Sequence, residues 1–182
     1  MDKYATHVVP LSLLLAEVPE EAVVIEFGGG KLSTPLFNAF AMRRNLYVRT
    51  YESEASYFRY LKRYENERHE VTRITAHNWE RLVGDVQAEE PYFVFVDLGN
   101  FYIKEQDETV RVNYRNKILQ RLLPFAQVLI CHDTEEGTDD TPIYAWNFDA
   151  AKYIKHFVDF EVRTTVCSNF VDVSRIEYVD GA

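Results

Sequence analysis

Between residues 21 and 158, apolar runs of strand length alternate with segments of helical spacing, and this rhythm constrains the fold more than any other feature. The runs EAVVIEF (21–27), LYVRTYE (46–52), EVTRITAHN (70–78), PYFVFVDLG (91–99) and AQVLICHD (126–133) read as strands. Residues 91–99 carry almost no polar interruption, as a central strand covered on both faces requires. Helices are expected over 32–45, 53–69, 108–123 and 149–158. In the first, Ser33 or Thr34 is the expected cap, Pro35 the first helical residue and Asn45 the end. In the third, Val110, Tyr114, Ile118 and Leu122 fall four apart. Residues 160–179 read as two closing strands. The alternation predicts an α/β chain: a doubly wound, mainly parallel sheet with helices on both faces. Such sheets bind ligands beyond the carboxyl ends of their strands. That rule singles out Glu26 to Gly30, Glu52, His77 to Trp79, Asp97, Gly99, His132 and Asp133.

The stretch VVIEFGGGKLSTP (23–35) holds three of the chain's seven glycines. Gly28, Gly29 and Gly30 let a ligand approach the backbone without a β-carbon clash. Free N–H groups at the start of the following helix favour an anionic group. A nucleotide-triphosphate loop does not fit: aligning Gly30 and Lys31 puts Ile25 at the first glycine and Leu32 at the metal-binding hydroxyl. A dinucleotide fingerprint fits Gly28 and Gly30 but offers Ser33 at the third glycine. Glu52 stands 22 residues after Gly30, near the ~20 expected of a ribose-binding acid. That reading lacks a hydride-transfer site. The bland alternatives are a tight turn for the glycines and a solvated strand-end acid for Glu52.

A third pattern joins more of these residues. Glu26 followed by Gly28 and Gly30 resembles the first motif of class I S-adenosylmethionine-dependent methyltransferases, and Ser33-Thr34 resembles the hydroxyl pair many members carry as the helix begins. Glu52 is similar to the acid that closes their second strand. Asp97 is similar to the acid at the end of the fourth. LLPFAQVLICHDTE resembles the segment leading into their fifth strand, and residues 160–179 resemble their terminal strand pair. The resemblance spans roughly residues 20–180. It implies a Rossmann-like sheet of seven strands ending in an antiparallel pair. It also implies a single methyltransferase-like domain over 1–182, with 1–20 as an N-terminal extension or helix.

The resemblance further implies S-adenosylmethionine as cofactor, gripped by Glu26, Gly28, Gly29, Gly30, Ser33, Thr34, Glu52, Ser53 and Asp97. A carboxylate at Glu52 can accept two hydrogen bonds from a cis-diol. Where the family often has an acid near the adenine, this chain has Asn78 and Trp79. The Asn78 carbonyl suits the amino group and Trp79 suits stacking, with a core role as the alternative for Trp79. His132, Asp133 and Asp97 are the expected catalytic groups, with His132 as general base and Asp133 orienting it. Asp97 and Asp133-Thr134 also stand where catechol-type members carry magnesium ligands; Thr134 replaces the usual amide, so no metal is the preferred reading and Mg2+ the lesser one. Tyr144 and Trp146, after the fifth strand, either contact the acceptor or anchor the loop.

Composition narrows the classes. A net charge of −9 disfavours a sequence-independent grip on nucleic acid, which rests on neutralising phosphates. No apolar run approaches the ~20 residues that span a bilayer. Residues 1–20 lack the basic start and small-residue cleavage site of a signal peptide. Cys131 and Cys167 have no metal-ligand spacing and read as buried thiols in a cytoplasmic setting. The expectation is therefore an enzyme methylating a small-molecule acceptor, at oxygen, without nucleic-acid or membrane partners; a homo-oligomer is compatible. The competing readings are a non-catalytic binding or regulatory module of the same fold, and an NAD-binding protein.

Overall fold

A computed structural model describes residues 7–99, 101–105, 108–112, 114–134, 146–158 and 162–176. Its centre is a seven-stranded sheet of order β3-β2-β1-β4-β7-β9-β8. The strands are β1 (Val23–Phe27), β2 (Tyr47–Glu52), β3 (His69–Arg73), β4 (Phe93–Val96), β7 (Val128–His132), β8 (Tyr153–Phe157) and β9 (Thr164–Ser168). Pairing is parallel from β3 across to β7, and β9 runs antiparallel to both β7 and β8. The chain is thus α/β and Rossmann-like, and its strand order reverses between β1 and β4, where such sheets open a crevice.

Period-two alternation along each strand divides the core into two faces. Ile25, Phe27, Val94, Val96, Leu129 and Cys131 face α4 (Trp79–Ala88) and α5 (Arg115–Leu122). Val24, Val48, Phe93, Phe95, Val128 and Ile130 face α1 (Val8–Glu17) and α2 (Ser33–Arg44). A shorter helix, α3 (Ala55–Leu61), follows β2. Glu26, Thr50, Glu52, Asp97 and His132 continue the second set by parity. The polar groups at the strand ends therefore lie under the α1–α2 side.

Several boundaries differ from the sequence reading. α2 begins at Ser33 after Leu32, with no side-chain cap, because the Thr34 hydroxyl bonds the sheet instead. Asn45 does end it, in the left-handed conformation at φ 55°. The expected helix over 53–69 is α3 plus a 3-10 turn at Lys62–Tyr64. The expected helix over 108–123 splits into β6 (Glu108–Val112) and α5, and β6 pairs antiparallel with β5 (Phe101–Glu105). Residues 149–158 hold β8 and not a helix. The closing pair is β8–β9, and Val173–Arg175 forms a 3-10 turn where a last strand was expected. Cys131 and Cys167 are both buried free thiols on adjacent strands; burial and their mutual contact push the Cys131 thiol up. No helix among the described residues is long and apolar enough to cross a membrane.

Candidate active-site crevice

The glycine bend leaves β1 and is packed from three sides. Gly28 has φ +93°, and a β-carbon there would meet the Asp97 carbonyl oxygen at 2.3 Å. A β-carbon on Gly29 would meet the Leu61 side chain at 2.2 Å and the Thr50 methyl at 2.8 Å. The bend can therefore be built only without side chains at these two positions. At Gly30 the nearest atom is the Ser33 hydroxyl at 3.2 Å.

Glu26 organises the bend from below. It is fully buried, and its Oε2 accepts from the Thr34 hydroxyl at 2.8 Å and the Thr50 hydroxyl at 2.6 Å. The Thr34 hydroxyl in turn accepts from the Gly30 N–H at 3.0 Å. Burial pushes the Glu26 carboxyl up to about 7, against the pull of the Ser33, Thr50 and Thr34 hydroxyls. Glu26 thus ties β1, β2 and the first turn of α2 together. Among the expected cofactor contacts it supports the bend rather than lining an opening.

Glu52 closes β2 and points at the bend. Its Oε1 accepts from the Glu54 N–H at 2.6 Å, and the Ser53 and Gly29 N–H groups also hold it. Burial nevertheless raises it to about 7, because its partners are neutral. On one side of it a cleft of about 520 Å³ is lined by Gly29, Gly30, Ser33, Asp97, His7 and Tyr57, among others. On the other, a cleft of about 480 Å³ is lined by Glu52 itself, Ser53, Ile74, Ala76, His77 and Gly99, among others. Each volume suits a small molecule or one end of a larger cofactor.

At the ends of β4 and β7 the chemistry changes. Arg115, the first residue of α5, is only 4% exposed and sits between two carboxylates. Its Nη2 lies 3.0 Å from Asp97 Oδ1 and its Nη1 2.9 Å from Asp133 Oδ2. It also donates to the carbonyls of Leu98, His132 and Asp97. Asp133 takes φ +54°, a strained turn for a residue with a β-carbon. His132 Nδ1 lies 3.2 Å from Asp133 Oδ1 and 3.4 Å from Asp97 Oδ1. Burial works against a charge on His132, but Asp97 and Asp133 outweigh it and raise the ring above its ordinary value. Burial would raise Asp97, and His132 and Arg115 more than offset this and lower it.

The structure brings together His132, Asp133 and Asp97, with Asp133 beside the imidazole as expected. Asp97 and Asp133 favour the protonated form of the expected base. The Asp97/Asp133 arrangement for magnesium is filled by the Arg115 guanidinium. Thr134 bonds the Thr165 hydroxyl at 2.7 Å instead of joining the carboxylates.

Other expected contacts have different partners. Asn78 Oδ1 accepts from the Thr75 N–H at 2.7 Å and its amide donates to the Arg73 carbonyl at 3.1 Å, so it closes its own loop. Trp79 is core, 4.6 Å from the Tyr114 ring, and neither residue lines the two clefts. Trp146 donates to the Asp133 carbonyl at 3.0 Å and stacks on Phe148, so it anchors the chain after β7. Tyr144 lies outside the described residues.

Two site residues carried no sequence signal. Arg115 sits in an otherwise ordinary amphipathic helix. His7 lies 125 residues before His132, yet its Nδ1 is 3.2 Å from His132 Nε2, and its ring packs on Phe95 at 5.3 Å. Strand parity was the available clue for His132: it places the imidazole on the α1 side.

No protein family matches the sequence, and no curated protein does. Among solved structures, one likeness is to an uncharacterized protein from Listeria monocytogenes serotype 4b. Its TM-score is 0.49 at 8% identity, over 94% of this chain and 70% of that one. A second is to a mutant of MtNAS, with a TM-score of 0.46 at 10% identity, over 91% of this chain and 60% of that one.

Proposed function

We propose that this chain binds S-adenosylmethionine across the two clefts and transfers its methyl group to a small-molecule acceptor, at oxygen. The observation that carries this reading is the junction at Glu52. A carboxylate at the end of β2 is drawn down electrostatically by the Gly29 N–H of the bend and also lines the second cleft. One extended nucleoside ligand would thereby set its amino-acid tail against Gly29, Gly30 and Ser33 and its ribose diol against Glu52. Ser53, Ala76 and Gly99 border the space left for the base. Lys31, at the first cleft, adds a cation for a carboxylate tail. The transfer is an in-line displacement, so the acceptor oxygen must stand opposite sulfur, in the first cleft beside Asp97.

Calorimetry with S-adenosylhomocysteine tests it. The expected result is saturable binding by the intact protein, weakened at least tenfold (about 1.4 kcal/mol) by Glu52→Ala. Absence of binding, or binding indifferent to that variant, overturns the reading. A thermal-shift comparison with NAD separates it from dinucleotide binding, since NAD should give no shift.

One observation favours a second reading, a binding module that transfers nothing. Asp97, Asp133 and His132 are already paired with one another and with Arg115, so each of the three candidate bases is already engaged within the protein. Cofactor binding without methyl transfer to any phenol, carboxylate or amine acceptor would support this reading over the first.

A further inference from the structure

Asp97 and Asp133, both half-buried, flank the buried Arg115 and leave one negative charge over. A half-buried charge of this kind favours a counter-charge. A proton on His132 is one answer and a bound cation is the other. His7 decides which side chains such a cation would meet. Its Nδ1 lies 3.2 Å from His132 Nε2. Two imidazole nitrogens sharing one ion at ~2.0–2.1 Å stand ~3.0–3.4 Å apart in octahedral or tetrahedral geometry. The Asp97 carboxylate completes a set of three ligand atoms within 4.8 Å of one another.

We propose that His7, Asp97 and His132 form a binding site for one divalent first-row transition-metal ion, of the zinc or ferrous class. Two imidazoles and one carboxylate suit such ions, whereas magnesium prefers an all-oxygen shell. The surroundings are those of a built site. Asp133 Oδ1 stands 3.2 Å and Asp97 Oδ1 3.4 Å from His132 Nδ1, the ring nitrogen that does not meet His7, and carboxylates there favour one orientation of the ring. Arg115 Nη2 holds Asp97 Oδ1 at 3.0 Å in the same supporting role. His7 is 5% exposed, and its Nε2 finds no hydrogen-bond partner among the described residues, so it is bound to the rest of the site through Nδ1. His7 and Asp97 both line the first cleft. Three protein ligands on one side and a cleft on the other leave exchangeable positions for a water or a hydroxyl-bearing ligand. The site shares Asp97 with the pair that Arg115 bridges but takes its other ligands from His7 and His132, and it stands whether or not the clefts take S-adenosylmethionine.

The test uses the whole chain, freed of metal by chelation. Zinc is titrated by calorimetry and cobalt(II) by visible absorption. The expected result is one ion per chain with the absorption bands of nitrogen-ligated cobalt, and no heat with magnesium. His7→Gln should weaken zinc binding more than ~100-fold, beyond the 10–100-fold cost of losing a supporting group. Asp133→Asn should fall within that smaller range. Circular dichroism and the thermal midpoint show whether His7→Gln is folded. If it is not, ring-proton spectra of the wild type decide: cobalt(II) should shift His7 and His132 and leave His77 unmoved. No binding, binding unaffected by a folded His7→Gln, or shifts that spare His7 and His132 would overturn the site. The two rings would then be a hydrogen-bonded pair around a proton.

Discussion

Two pairs of carboxylates, one buried and one half-buried, stand at the same edge of one sheet, and they meet desolvation in opposite ways. Glu26 and Glu52, at β1 and β2, have only hydroxyl and backbone N–H partners, and burial lifts both to about 7. Asp97 and Asp133, at β4 and β7, share the guanidinium of Arg115 and the ring of His132. Neutral donors leave a buried acid hesitant to ionise, while a cation at 3 Å keeps it charged. The first pair is thus ready to respond to a cationic ligand such as a sulfonium. In the second, Arg115 offsets one of the two charges, and Asp97 lines the first cleft.

Breaking the second pair should have the largest effect. Arg115→Met leaves two half-buried carboxylates without their cation, and chemical denaturation should show a loss of about 3 kcal/mol, the low end for a buried pair because solvent reaches both acids. An equally large loss from a triple variant that also neutralises Asp97 and Asp133 would refute the charge explanation. Next comes the bend. Gly28→Ala places a β-carbon against the Asp97 backbone at φ +93°, and should cost at least ~2 kcal/mol. Gly30→Ala meets only a hydroxyl at 3.2 Å and should cost less than ~1 kcal/mol of stability.

Proton linkage sharpens the contrast. Glu26 and Glu52 have folded values of about 7 against 4.5 for the free group. Between those values the folded chain holds protons the unfolded chain has released. Their contribution to stability is therefore present below 4.5, declines as pH rises towards 7, and levels off above. The slope is at most ~1.4 kcal/mol per pH unit for each carboxyl. Glu26→Gln should remove up to that much from the slope of denaturation free energy against pH. An unchanged slope would show that Glu26 ionises normally. Asp97 has the opposite sign: its value is lowered, so its contribution is lost on acidification.

Much of the first half of the molecule was legible in the sequence. The runs at 21–27, 46–52 and 91–99 became β1, β2 and β4, because an apolar strand buried on both faces advertises itself. The glycine bend was readable because only glycine fits there. In the later half the run at 126–133 became β7, but the segments at 108–123 and 149–158 misled for physical reasons. Val110, Tyr114, Ile118 and Leu122 share a four-residue spacing, yet the first lies on a hairpin and the rest on a helix. Residues 153–157 alternate in a register that reads as either state. The spacing of Trp79, Leu82, Val83 and Val86 did encode α4, and is clear once the helix is seen. In the crevice, Glu26, Glu52, Asp97, His132 and Asp133 all arrive at the strand ends. Arg115 and His7 could not be foreseen, since a pairing across 125 residues leaves no local trace.

That long span has a consequence for how the molecule assembles. A chain emerging from the ribosome presents His7 early and must extend through β7 before His132 exists to meet it. Contacts between distant positions form late because the intervening loop must first be closed. The glycine bend and the end of β2 can settle while synthesis is still under way. The histidine contact waits for β7, and a chain halted before residue 128 would carry a glycine bend beside an unfinished wall.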